Sequence, residues 1–267
     1  MTKEKYLCLS AKIVIILRYF VAFSYFGKSY HGWQVQPNAI TVQQILEEAF
    51  SVLLKQKIAV TGAGRTDAGV HAKQMYAHFE VDIIDDIQKL VYRLNSYLPD
   101  AIAVQKIFPV RPDAHARFDA TKRTYEYWIV QDKNPFLLDT AHYVKQQLDI
   151  FKMNKAAVIL LEHKDFECFS KSNTDVRTYL CDVTKAIWEE KGDKLIFTIS
   201  ADRFLRNMVR AVVGTLLDVG SGKTQIENVN TILKSKDRSQ AGASVPAKGL
   251  YLTQVLYPEN ICNTNCE

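Results

Sequence analysis

Two amphipathic helical stretches are set between strand-like runs in a fixed order within the first 108 residues, and that order leaves few folds open. Residues 18–26 are rich in Tyr, Phe and Val and read as a strand. Thr41 begins a helix, with Gln44 at capping-box spacing and Val42, Ile45, Leu46, Ala49, Phe50 and Leu53 on one face. Lys57–Thr61 reads as a short strand and 74–81 as another. A second helix runs over Asp85–Leu98 and stops at Pro99, and a strand covers 101–108. The order β-α-β-β-α-β is the split βαβ, or ferredoxin-like, arrangement.

The stretch 109–120, with two prolines and mixed charge, reads as a junction, after which the pattern partly repeats. Strands are expected over 121–130, 178–190, 194–201 and 249–257, with helices over about 152–162, 203–219 and 225–235. Gly192-Asp193 marks a hairpin and Gly220 closes a helix. The expected class is α+β: two ferredoxin-like (split βαβ) units with mostly antiparallel sheets, whose open faces form one central cleft. The expected division is an extension over 1–17, a first domain over 18–113, a second over 114–258 and a tail over 259–267.

Composition bears on what such a fold can serve. At 48% apolar and 24% charged, the 267 residues exclude wholesale disorder and a collagen-like chain. A net charge of +5 fits a polyanionic partner without requiring one. The apolar run over 6–26 is broken by Lys12 and Arg18 and lacks a cleavage-site pattern, so neither a membrane span nor a signal peptide is expected. The five cysteines form no C-x-x-C pair, which argues against a disulfide framework or a zinc ribbon. A cytoplasmic protein without a membrane partner is the expectation, with the polar tail disordered.

The loop Gly62-Ala63-Gly64-Arg65-Thr66-Asp67-Ala68-Gly69-Val70-His71 is the most informative stretch. As a dinucleotide loop it fails at Asp67, where a third glycine is required. As a P-loop it fails at Val70-His71, where Lys and Ser/Thr are required. What remains is one carboxylate on a glycine-rich loop with Arg65 nearby, which suits a nucleophile or base. An Asx turn suits it as well. On the expected helix 203–219, Arg203, Arg206, Asn207 and Arg210 share one face with no acidic residue interleaved. That stripe fits phosphates, a carboxylate, or simply solvent.

In Lys122–Trp128, basic residues interleave with aromatics, with Arg117 and Phe118 upstream. Tyr125 and Tyr127 lie on one face of the strand, so this run suits either core packing or an RNA surface. Lys171-Ser172-Asn173 with Arg177 and Lys28–Trp33 are further basic-polar runs. The six histidines make no metal-ligand spacing, and the acidic pairs fall on expected helix surfaces or turns.

Residues 62–71 resemble the signature of the TruA-type tRNA pseudouridine synthase family. Further segments match in order: His31-Gly32-Trp33-Gln34, Gln36-Pro37-Asn38, Leu98-Pro99-Asp100, His115-Ala116-Arg117-Phe118, Arg123–Tyr127, Asp165-Phe166, Asn207–Arg210 with Val213-Gly214, and Gly249–Leu252. The resemblance covers about 19–258. It implies isomerisation of uridine to pseudouridine at positions 38 to 40 in the tRNA anticodon stem-loop, with no metal or organic cofactor, by a homodimer that builds the RNA cleft. It further implies that Asp67 is the catalytic carboxylate. Tyr125 would stack on the flipped base and serve in proton removal at its C5. Arg210 would pair with Asp67, Arg65 would help hold the loop and the displaced base, and Leu250 would line the base pocket. Arg203, Arg206, Arg117 and Lys171 are the expected contacts to the RNA. Two other classes stay open: a tRNA-binding protein without catalysis, which would not need Asp67, and a nucleotide-binding enzyme using the glycine loop.

Overall fold

In a computed structural model, residues 16–171 and 177–262 are described; residues 1–15 of the expected extension, Ser172-Asn173 and tail residues 263–267 lie outside them. Strand β1 (Ile16–Tyr25) starts two residues before the expected strand, because Ile16 and Leu17 already pair with Asp82 and Val81. Helix α1 (Val42–Leu54) starts after Thr41, whose hydroxyl accepts from the Gln44 amide at 3.4 Å. The Gln44 side chain turns to Glu48 instead, so only half of the capping box forms. Helix α1 buries Val42, Leu46, Ala49 and Phe50.

Strand β2 (Thr61–Gly62) is shorter than expected. The residues before it give their backbone groups to α1 side chains rather than to the sheet: the Ile58 amide donates to Ser51 Oγ and the Val60 amide to Glu47 Oε1, both at 2.9 Å. Strand β3 (His71–Asp82) and helix α2 (Ile87–Tyr97) follow, the helix capped by Asp86, and then strand β4 (Ile102–Pro109).

The second half holds β5 (Lys122–Val130), β6 (His142–Tyr143), α3 (Ile150–Ile159), β7 (Val183–Lys191), β8 (Lys194–Ala201), α4 (Met208–Gly220), α5 (Ile226–Ser235) and β9 (Leu250–Leu256). Strand β7 begins later than expected, since Leu180 makes only an isolated bridge with Asp165 and the Cys181 amide bonds Lys164. Gly192, at φ +64°, opens the two-residue hairpin turn between β7 and β8.

Helix α4 corrects the sequence reading. It starts at Met208, not 203, because Asn207 is left-handed at φ 67° and cannot continue a right-handed turn. Asp202 Oδ1 accepts from the amides of Asp182 and Arg203, both at 2.7 Å, and fixes the irregular segment before it. The expected stripe is therefore not a helix face, and of its arginines only Arg210 stands on the helix.

Among the described residues, nine strands form one sheet in the order β4-β1-β3-β9-β5-β8-β7, with β2 beside β3 and β6 beside β5. The fold is mixed α/β, and its strand pairs are antiparallel except β3–β9 and β5–β6. In the first half β4 lies beside β1 and β3 lies inside β2; in the second, β6 aside, β9 lies beside β5 and β8 lies inside β7, each the split βαβ order. The two halves share one sheet because β9 pairs with β3 through His71–Tyr251 and Ala72–Leu252. Two apolar cores flank this seam, and Tyr125 packs against both. The expected disordered tail is partly built into the fold. Ile261 is buried in the first core, and its carbonyl accepts from the Arg111 amide at 3.2 Å. No helix of the described residues is long and apolar enough to cross a membrane.

Candidate active site

The loop between β2 and β3 is braced from beneath by the segment after β1. Gly32, at φ +86°, lies so close that a Cβ there would stand 2.3 Å from the Thr66 carbonyl oxygen. Gly62 lies flat on the Trp33 indole, which leaves no room for a side chain. The Trp33 amide donates to Thr66 O at 3.3 Å, the Gly69 amide to Tyr30 O at 3.2 Å, and Tyr25 Oη bonds Thr66 Oγ1 at 2.8 Å. These contacts fix the backbone on both sides of Asp67.

The Asp67 carboxylate accepts from Arg210 Nη1 at 3.4 Å, and Arg206 Nε lies 3.9 Å from its other oxygen. Its hydrogen-bond partner is thus a guanidinium from helix α4 in the second half of the chain and not a nearby backbone amide, so the Asx turn is not formed. Arg210 is itself held, with Nε donating to the Val245 carbonyl at 2.7 Å. An open cavity of about 720 Å³ lies over this pair, and Lys171, Arg206, Arg210 and Arg238 line it with Asn207, Ala68 and Asp67. Among the described residues, this lining sets several cations around one carboxylate, an arrangement that suits a polyanion.

Tyr125 stands edge-on to Phe204 with ring centroids 5.1 Å apart. Burial, and to a smaller degree the Asp67 charge, push its phenol up to about 12, while Arg123 opposes them. The hydroxyl therefore stays protonated near neutral pH. Arg123 was expected only as part of a basic-aromatic run. Its guanidinium donates to the carbonyls of Ala63 (3.0 Å), Arg117 (2.6 Å), Ala120 (2.9 Å) and Asp202 (2.7 Å), so it ties the aspartate loop to the second half.

The structure brings Asp67, Arg206, Arg210 and Lys171 together and sets other expected residues apart. Arg65 is exposed and makes no side-chain bond among the described residues, so Arg210 supplies the cation expected beside Asp67. Arg203 does not line the cavity. Arg117 lies against the exposed Phe118 ring, 5.7 Å from its centre. Leu250 is buried in the second core rather than lining the cavity. Arg238 was missed, since a lone charge after a helix carries no signal.

His71, which ends the loop, is a structural residue. Its Nδ1 accepts from the Gly27 amide at 2.9 Å while Nε2 bonds the Lys248 carbonyl at 3.1 Å, which fixes the neutral tautomer. Burial lowers its pKa accordingly.

A glycine-braced loop thus presents one carboxylate to an arginine beside a cationic cavity, in an α/β fold, an arrangement that suits a polyanionic substrate. A family model described as tRNA pseudouridine synthase matches residues 21–119 and 156–258. The chain is 50% identical over 245 residues to tRNA pseudouridine synthase A of Parabacteroides distasonis, covering 91% of this chain and 97% of that protein. It is 47% identical over 248 residues to the protein of the same name from Bacteroides fragilis, covering 92% and 98%. For that of Thermoanaerobacter pseudethanolicus the identity is 39% over 239 residues, covering 89% and 98%. The chain belongs to the tRNA pseudouridine synthase family.

Proposed function

We propose that this chain isomerises uridine to pseudouridine in tRNA, at positions 38 to 40 of the anticodon stem-loop, with Asp67 as the catalytic carboxylate. The observation that carries the reading is the Asp67–Arg210 ion pair in the wall of an open cavity that is also lined by Arg206. The reaction breaks the C1′–N1 bond, turns the base and joins C5 to C1′; C5 loses a proton and N1 gains one, so no net oxidant, water or proton is needed. The target base must leave its stack, at a cost of a few kcal/mol. Stacking on Tyr125 returns about 1–3 kcal/mol of that. Arg210 holds the carboxylate in place, and Arg206 and Lys171 take flanking phosphates. Arg203, Arg117 and Arg65 meet the RNA further out, and Leu250 supports the base site from the core.

We read residues 18–113 and 114–258 as two domains, the first carrying Asp67 and the second Tyr125 and Arg210. The active form is a cytoplasmic homodimer whose subunits build the RNA cleft. Pseudouridine mapping on an unmodified tRNA transcript tests the reading, with wild type and Asp67→Ala in parallel. Pseudouridine in the anticodon arm with wild type alone is expected. Salt-dependent tRNA binding by both proteins without pseudouridine from either would replace the enzyme with a binding protein.

A further inference from the structure

Arg210 donates to the Asp67 carboxylate, and the position of its guanidinium is set in turn by the segment that precedes β9. Its Nε donates to the Val245 carbonyl at 2.7 Å, and the Val245 amide returns a bond to the Arg210 carbonyl at 3.2 Å. The segment 241–245 therefore sets the guanidinium. That segment lies directly on helix α4: a Cβ on Gly214 would stand 1.8 Å from the Ala243 carbonyl oxygen, and the Gly242 amide donates to Thr215 Oγ1 at 2.8 Å. Its other side is strapped by Arg238. Nη1 reaches the carbonyls of Ala241 at 3.3 Å and Gly242 at 3.1 Å, while Nη2 donates to Ser244 Oγ at 2.9 Å. The same Ser244 oxygen accepts from Asn207 Nδ2 at 2.6 Å, at the left-handed residue that starts α4.

We propose that Arg238 is a positioning residue of the active site, acting through Ser244 and the 241–245 backbone to fix Arg210 and hence Asp67. The inference rests on the reading that Asp67 performs the chemistry. Both Nη atoms of Arg238 are engaged with the protein, so although the side chain borders the cavity, its role is to hold the segment rather than to bind phosphate. The fork geometry is essential, because a lysine carries the charge but has no planar pair of donors.

The test is single-turnover pseudouridine formation on an unmodified tRNA transcript at saturating protein, with tRNA affinity measured across a salt series and unfolding midpoints as a folding control. Arg238→Gln and Ser244→Ala are each expected to slow the reaction about 10- to 100-fold, the range that a misplacement of about an ångström produces. Affinity and salt dependence should stay at wild-type values. The double variant should be no slower than the worse single one, since both changes break one chain of contacts. Arg238→Lys should remain slow, and Ser244→Thr, which keeps the oxygen, should restore the rate. Weakened affinity with a shallower salt slope, both restored by Arg238→Lys, would assign Arg238 to phosphate binding and overturn the proposal. So would a wild-type rate for Arg238→Gln. If wild type itself forms no pseudouridine, the enzymatic reading falls first and this inference falls with it.

Discussion

Replacing Arg123 should damage the fold and the chemistry together, and the structure indicates by how much. Arg123→Met removes four hydrogen bonds to backbone carbonyls on three segments. The bonds to Asp202 and Arg117 are reached by solvent, so water replaces them at small cost. Those to Ala63 and Ala120 are partly buried, and a hydrogen bond from a charged donor there is worth about 1.5 kcal/mol or more net. Two such losses lower stability by about 3 kcal/mol, read by urea unfolding. Arg123→Lys retains part of this bonding and should lose about half as much. Ala63 lies four residues before Asp67, so the untethered loop should also slow single-turnover pseudouridine formation about 10- to 100-fold per folded molecule. A Met variant within about 0.5 kcal/mol of wild type would refute the energetic argument. A destabilised variant that turns over at the wild-type rate would show that the tether does not place the loop.

Two further outcomes follow from the same geometry. His78 is buried against Phe20 and His115, and burial, with the positive charges of His115 and Arg18 as smaller causes, pushes its pKa down to about 4 from 6.5. The unfolded chain takes up this proton below pH 6.5 while the native state resists, so stability is lost as pH falls, by about 2 kcal/mol at pH 5. His78→Asn keeps an acceptor for the Ala116 amide without titrating. Its unfolding free energy should therefore fall less steeply than wild type's between pH 7.5 and 5, and equal slopes would exclude His78 as the source. Gly64 faces open space and does not require a positive φ, so Gly64→Ala should leave stability within about 0.5 kcal/mol. A loss of tRNA affinity in that stable variant would mark where the RNA backbone comes closest; unchanged affinity would place it elsewhere.

Sequence periodicity made the elements legible wherever one face of an element is buried, as with Val42, Leu46 and Phe50 on α1. It failed at Arg203–Asn207, where helical spacing is mimicked by an irregular segment that Asp202 and a left-handed Asn207 hold in place. The β3–β9 seam was not legible, because a two-residue parallel pairing between strands some 180 positions apart leaves no local pattern. Within the site, Asp67 and Arg210 were legible through the family motif. The roles of Arg123 and Arg238 were not, since both depend on backbone carbonyls that only the tertiary fold brings within reach.

The glycines of the 62–69 loop show why a phosphate-binding reading of such a loop can mislead. A phosphate loop needs glycine so that its amides can approach a ligand. Here Gly62 is required by the Trp33 indole and Gly69 by its backbone angle of φ +79°, while Gly32 beneath them is required by the Thr66 carbonyl. Most of the small residues thus serve the packing of one protein segment against another. That packing ends with the Asp67 carboxylate meeting an arginine of helix α4 that is anchored to the Val245 carbonyl. A carboxylate so placed repels a bound phosphate at its own position, while the cations around it attract phosphates to either side. This distribution of charge fits the proposed substrate, a nucleotide within a chain with phosphates on both sides. It does not suit a free nucleotide whose phosphate would have to occupy the loop.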